Sequence, residues 1–188
     1  RLTRFAHAGG GWHMFVDLSD RPLPEIFGVQ PGSVGPAAEL RILFEDAEHP
    51  LAARLPDAVY LQGRYQPLHK TNDDTETILY ADWQYSHQSV LTHRKMGQGG
   101  VACTSLQAYS DGSLQRILYR LLCQLVGRPM TKNPLGIGIL GYAPSVGRIH
   151  GLGTQMTKGL ALRAVCDLNP DQLEQARKDF PDVKTYDS

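Results

Sequence analysis

Apolar residues fall in short runs and alternations until about residue 104, and a helical period first becomes clear near residue 113. Residues 12–18 (WHMFVDL) form an apolar run of strand length, and 40–44 (LRILF) form a second. Val59 to Leu61, Thr77 to Tyr80, Ser89 to Thr92 and Gly100 to Thr104 read as further short strands with turn residues between them. Residues 19–36 are rich in Pro and Gly and read as a loop, and Gly97-Gln98-Gly99-Gly100 reads as a turn. Ahead of these strands, Leu2, Phe5 and Ala6 look like the last turns of an amphipathic helix stopped by Gly9-Gly10-Gly11. From Ser113 to Val126, Leu114, Ile117, Leu118, Leu121, Leu122 and Leu125 trace one stripe of a 3.6-residue period. Asp111 or Ser113 can cap this helix, and Gly127 with Pro129 ends it. The stripe is too short for a zipper and reads as core.

Residues 129–133 are short, polar and proline-flanked, and read as a linker between a domain over 1–128 and a second over 134–188. The second opens with a strand expected to be buried, Leu135 to Leu140, which runs into Gly141-Tyr142-Ala143-Pro144-Ser145-Val146-Gly147. A helix is expected from near Gly147 towards Met156, followed by a strand over Leu160 to Cys166 that ends at Asp167. Asn169-Pro170 then starts another helix, with Asn as cap and Pro at the first position. The order strand, glycine turn, helix, strand, acid suits a dinucleotide site. Backbone N–H groups and the helix dipole face a pyrophosphate, and the acid accepts hydrogen bonds from a ribose. The candidate cofactor residues are Gly141, Tyr142, Ala143, Pro144, Ser145, Val146, Gly147, His150 and Asp167. Ala143 replaces the second glycine of the usual pattern, and Gly147 comes one residue late. His150 either reaches the cofactor or packs.

These residues, LGIGILGYAPSVGRIHG and LRAVCDLNPDQLEQARKDFPDVKTYDS, resemble the opening of Gfo/Idh/MocA oxidoreductases. The resemblance rests on Gly147-Arg148-Ile149-His150 and on Asp167 to Pro170. It implies a Rossmann domain, NAD(H) or NADP(H), and hydride transfer on a sugar or cyclitol. NAD is favoured, because Leu168 stands where an arginine could receive a 2′-phosphate. The family's catalytic Glu-Lys-Pro lysine lies beyond Ser188, so no catalytic residue of that reaction is expected in this chain.

Residues 1–128 resemble ThuA-like (trehalose-utilisation) domains through RFAHAGGGWHMFV, EDAEHPLAARLPDAVY and SVLTHRKMGQGGVACTSLQAY. That resemblance implies a partial class I glutamine-amidotransferase-like, flavodoxin-like α/β domain, followed here by the first βαβ unit of a Rossmann domain. Three polar positions depart from the family together, at Val16-Asp17, Gln62-Gly63-Arg64-Tyr65 and Gln107-Ala108. A weakened or lost activity is expected there. The chain is read as a fragment of a longer protein: a sugar-directed, nicotinamide-dependent oxidoreductase. The alternatives are a non-catalytic sugar-binding or assembly module and a hydrolase or lyase on a sugar derivative.

Composition narrows the partners. Nineteen basic residues balance nineteen acidic ones, so no global field draws in nucleic acid or an anionic membrane. A small-molecule sugar is the expected substrate, and a homo-oligomer is compatible with the pattern. Cys103, Cys123 and Cys166 each lie in an apolar stretch and read as reduced thiols, which points to the cytoplasm. Cys103, inside VACTS, reads as buried and inert, not as a nucleophile. His87 and His93 could share one face of a strand, but no carboxylate at matching spacing accompanies them, so no metal site is expected. His49, before Pro50, is read as shaping a turn. Tyr80, Trp83 and Tyr85 read as core or edge packing, with a sugar-facing surface as the alternative.

Overall fold

The computed structural model describes residues 2–19, 21–83, 86–108, 110–127, 134–157 and 159–188, without the side chains of Leu2 and Trp83. The chain is an α/β protein that divides into two compact units, Arg1–Pro129 and Met130–Ser188. The linker expected at 129–133 lies outside the described residues.

The N-terminal unit opens with helix α1 (Leu2–His7) and strand β1 (Gly11–Phe15). Strands β2 (Val29–Pro31), β3 (Ala38–Phe44), β4 (Val59–Gly63), β5 (Leu68–Lys70), β6 (Thr75–Trp83), β7 (Ser86–Met96) and β8 (Gly99–Thr104) follow, and helix α2 (Gly112–Leu125) ends the unit. Six strands form one sheet in the order β1-β8-β7-β6-β3-β4. Within this sheet, among the described residues, β1 and β8 pair in parallel and the other pairs are antiparallel. Gly97, with φ +58°, supplies the left-handed residue that the two-residue β7–β8 turn needs.

Strand β8 is buried along its whole length because both faces are covered. Val101 and Cys103 join a cluster with Ala6, Phe27 and Val29, whereas Ala102 joins Leu40, Leu91, Leu114 and Leu121 on the other face. Helix α2 supplies that second cluster with Leu114, Ile117, Leu121 and Leu125, and each buried side chain of this size contributes roughly 2 kcal/mol. Asp111 is its cap, accepting hydrogen bonds from the N–H groups of Ser113 (2.8 Å) and Leu114 (2.9 Å).

The region read as a loop over 19–36 contains a 3₁₀ turn (Glu25–Phe27) and β2, which pairs antiparallel with β5. Phe27 and Val29 are buried, so a few apolar residues anchor a segment whose Pro and Gly content hides its periodicity. Phe5, read as part of an apolar helix face, is exposed, and Ala6 is the residue that enters the core.

The C-terminal unit contains β9 (Leu135–Leu140), α3 (Gly147–Met156), β10 (Leu160–Cys166), α4 (Pro170–Asp179) and β11 (Lys184–Tyr186). Its three strands are parallel in the order β11-β10-β9, which requires a crossover between successive strands, and α3 and α4 provide them. Tyr142, Leu162, Val165, Leu173, Ala176 and Val183 form its core. Strand β9 is not buried throughout, as its apolar run suggested. Ile137 and Ile139 pack on the core, while Gly136, Gly138 and Leu140 are exposed, because alternate residues of a strand face opposite sides.

Candidate functional site

The glycine turn after β9 is built by close backbone approach. Gly141 has φ +82°, a left-handed conformation that glycine adopts without strain. Its N–H continues the ladder to the Cys166 carbonyl at 2.7 Å. A Cβ on Gly147 would come within 1.8 Å of the Gly141 carbonyl oxygen, so only glycine lets α3 start against the end of β9. The extra loop residue is absorbed in a turn, where the Ala143 carbonyl accepts from the N–H groups of Val146 (3.3 Å) and Arg148 (3.1 Å). Ala143, Pro144 and Ser145 are exposed. Val146 stands at the N-cap and makes no side-chain cap hydrogen bond, so no cap side chain occupies the positive end of α3.

Asp167 closes the same corner. Its Oδ2 accepts from the Tyr142 N–H at 2.5 Å, and its Oδ1 accepts from the Asn169 N–H at 2.8 Å. A carboxylate offers about four acceptor positions, so capacity remains for a hydroxylated ligand. Strand β10 thus brings the acid to the loop that precedes it by some twenty residues.

The other expected cofactor residues behave differently. The Tyr142 side chain is fully buried, and its hydroxyl donates to Asp179 Oδ2 at 3.0 Å, so only the backbone of Tyr142 belongs to the loop surface. Burial and the Asp179 carboxylate push its phenol pKa up. Arg148 turns to α4 and donates to both carboxylate oxygens of Asp179, at 2.8 and 3.1 Å. That hydrogen bond, above all, holds the Asp179 pKa below the ordinary carboxylate range. His150 is half-buried on α3, and burial lowers its pKa to about 4, so it is neutral near pH 7.

In the N-terminal unit, two of the three altered polar positions meet. The Gln107 side-chain amide donates to the Val16 carbonyl at 3.0 Å, at the ends of the parallel strands β8 and β1. Asp17 accepts from the Ser19 N–H (3.2 Å) and Oγ (2.5 Å). The third position does not join them: Gln62 and Gly63 lie on β4, at the opposite edge of the sheet order. Gln62 donates to Glu39 at 3.0 Å there, and Tyr65 is buried.

Burial raises the Cys103 thiol to about 12, which leaves it protonated and unreactive. His49 accepts from the Leu51 N–H at 3.2 Å and caps a short 3₁₀ turn (Pro50–Ala52). His87 pairs with Glu45 (2.5 Å) and His93 lies 3.6 Å from Glu76, both carboxylates coming from neighbouring strands or loops rather than from local spacing. No linear signal connects Glu45 to His87, which are 42 residues apart. Among the described residues, no three His, Cys, Asp or Glu side chains form a metal-holding group. Tyr80 stacks on His87, while Tyr85 and the Trp83 side chain lie outside the described residues. Among the described residues no helix is long and apolar enough to cross a membrane.

No family model and no curated protein matches this sequence. Solved structures do match the fold. A β-galactosidase from Bacillus circulans sp. alkalophilus is 20% identical with a TM-score of 0.54, over 71% of this chain and 21% of that one. A ThuA-like protein from Bacteroides uniformis is 13% identical with a TM-score of 0.53, over 66% of this chain and 62% of that one. The carbohydrate deacetylase Agd3 is 14% identical with a TM-score of 0.51, over 74% of this chain and 23% of that one. Each aligned share is far larger than the C-terminal unit, so the likeness involves the N-terminal unit. The chain spans about a fifth of the β-galactosidase and less than two thirds of the ThuA-like protein. At these identities the likeness establishes a fold shared with ThuA-like proteins.

Proposed function

We propose that the N-terminal unit is a ThuA-like module that recognises a carbohydrate without transforming it. The fold held in common with a ThuA-like protein, a β-galactosidase and a carbohydrate deacetylase carries this reading. The structural use of Gln107, whose amide donates to the Val16 carbonyl, supports recognition over hydrolysis. The test is a saccharide-binding screen of the full chain, with product analysis and no added nucleotide. Binding without turnover is expected. Turnover that survives removal of residues 134–188 would replace this reading with a hydrolase or lyase.

A second reading concerns the C-terminal unit, and the left-handed Gly141 packed against Gly147 favours it. We propose that this unit is the opening βαβ of a Rossmann domain of Gfo/Idh/MocA type, in a longer protein that oxidises or reduces a sugar or keto-sugar. A turn glycine, a helix-packing glycine, an α3 start without a side-chain cap and an acid beside the loop are the parts such a site uses. Gly141 to Gly147 would hold the pyrophosphate and Asp167 the adenosine ribose. NAD, when bound, supplies hydride acceptance. Leu168 is exposed beside Asp167 and offers no charge to a 2′-phosphate, so NAD is the expected form. Titration of the full chain with NAD and NADP checks this, and a preference for NADP contradicts it.

A further inference from the structure

An open cleft of about 280 Å³ lies in the N-terminal unit. Glu45, Thr77, His87 and Ser89 line one wall, contributed by the six-stranded sheet and the residue just after β3. His69 and Lys70 of β5, from the two-stranded sheet, line the other.

The first wall owes its shape to an irregular strand pair. The β6–β7 register shifts between Thr77 and Leu79 and again between Leu79 and Tyr80. Such bulges re-aim side chains and recur beside binding sites. Here Thr77 Oγ1 donates to Ser89 Oγ at 3.3 Å across the irregularity. The Tyr80 ring stacks on His87, with centroids 3.7 Å apart and planes 13° apart, and fixes the imidazole plane. Glu45 reaches His87 at 2.5 Å although β6 lies between their strands. Both side chains remain about half exposed, so the pair is open to a ligand. Opposite, Lys70 has no ion-pair partner among the described residues.

We propose that this cleft binds a single sugar acid, of the hexuronate or aldonate class. The proposal rests on the carbohydrate reading of the N-terminal unit. Hydroxyls of Thr77 and Ser89 both donate and accept, as a row of sugar hydroxyls requires. The Glu45 carboxylate accepts from two vicinal hydroxyls, and His87 contributes a ring nitrogen and a flat apolar surface. Lys70 supplies the cation for the ligand carboxylate. The volume lies below the ~300–1,000 Å³ of drug-sized sites, which suits one monosaccharide better than a chain.

The test is calorimetric titration of the full chain with D-glucuronate and D-glucose, repeated on Lys70→Met and Glu45→Gln. Both substitutions are at the surface, and circular dichroism checks that the fold is kept. Glucuronate is expected to bind at least tenfold tighter than glucose. Lys70→Met should remove that preference and leave glucose unchanged, and Glu45→Gln should weaken both sugars. Equal binding of the two sugars, indifferent to Lys70→Met, overturns the sugar-acid assignment. Saccharide binding that neither variant alters overturns the cleft while the carbohydrate reading stands. No binding of either sugar, with other saccharides also inert, overturns both.

Discussion

A Cβ on Gly147 would sit 1.8 Å from the carbonyl oxygen of Gly141, so these two glycines fix how α3 begins against the end of β9. Gly153, on the same helix, has open space where its Cβ would be. Gly147→Ala should therefore destabilise the C-terminal unit by about 2 kcal/mol or more, through a clash with backbone that cannot step aside. Gly153→Ala should stabilise it by roughly 0.5–1 kcal/mol. Hydrogen exchange over residues 134–188 reads both, and equal effects contradict the packing role of Gly147.

Asp179 ties α4 to α3 through Arg148 and to the core through the Tyr142 hydroxyl. Tyr142→Phe should cost about 1–2 kcal/mol, because it removes one hydrogen bond to a charged acceptor and leaves the ring in place. The Asp179 pKa is held down chiefly by the Arg148 hydrogen bond, so its contribution is full above the ordinary carboxylate pKa. It disappears as pH falls through the lowered value. Asp179→Asn should flatten the acid limb of the C-terminal unit's unfolding curve; an unchanged limb contradicts this.

His150 titrates in the opposite chemical sense with a similar outcome. Burial lowers its folded-state pKa to about 4, whereas the unfolded imidazole binds its proton near pH ~6.5. The unfolded chain takes up the proton first as pH falls. Stability present above ~6.5 is therefore lost down to about 4, on the order of 2–3 kcal/mol. Exchange protection of residues 134–188 should follow that window in the native chain and lose the slope in His150→Gln.

In the N-terminal unit, Asp111 accepts from two N–H groups at the start of α2. Asp111→Ala should cost about 1 kcal/mol, and Asp111→Asn far less, since an amide oxygen caps nearly as well. Urea unfolding followed by tryptophan fluorescence measures the difference, and equal losses would point away from capping.

Local chemistry made much of this architecture readable in the sequence. The leucine stripe of α2 and the Asn169-Pro170 start of α4 depend on neighbours within a few residues. The features that escaped depend on distant chain. Nothing near Glu45 announces His87, and nothing near Val29 announces that three residues will pair with β5. The Tyr142 position was legible as part of the glycine turn. The inward direction of its ring was not, because that depends on Asp179, 37 residues later. Likewise the β6–β7 irregularity comes from long-range pairing, and the run Thr77-Ile78-Leu79-Tyr80 does not disclose it.

Whether the two units serve one nucleotide-linked sugar chemistry turns on the corner made by Gly141, Gly147 and Asp167. The decisive measurement is NADH binding to the full chain by fluorescence titration, repeated on Asp167→Ala. Saturable binding that weakens at least tenfold in Asp167→Ala is expected, since the acid would hold the ribose hydroxyls. Absence of NADH binding in a folded chain, or affinity indifferent to Asp167→Ala, would contradict the nucleotide role and leave only the proposed carbohydrate recognition by the N-terminal unit.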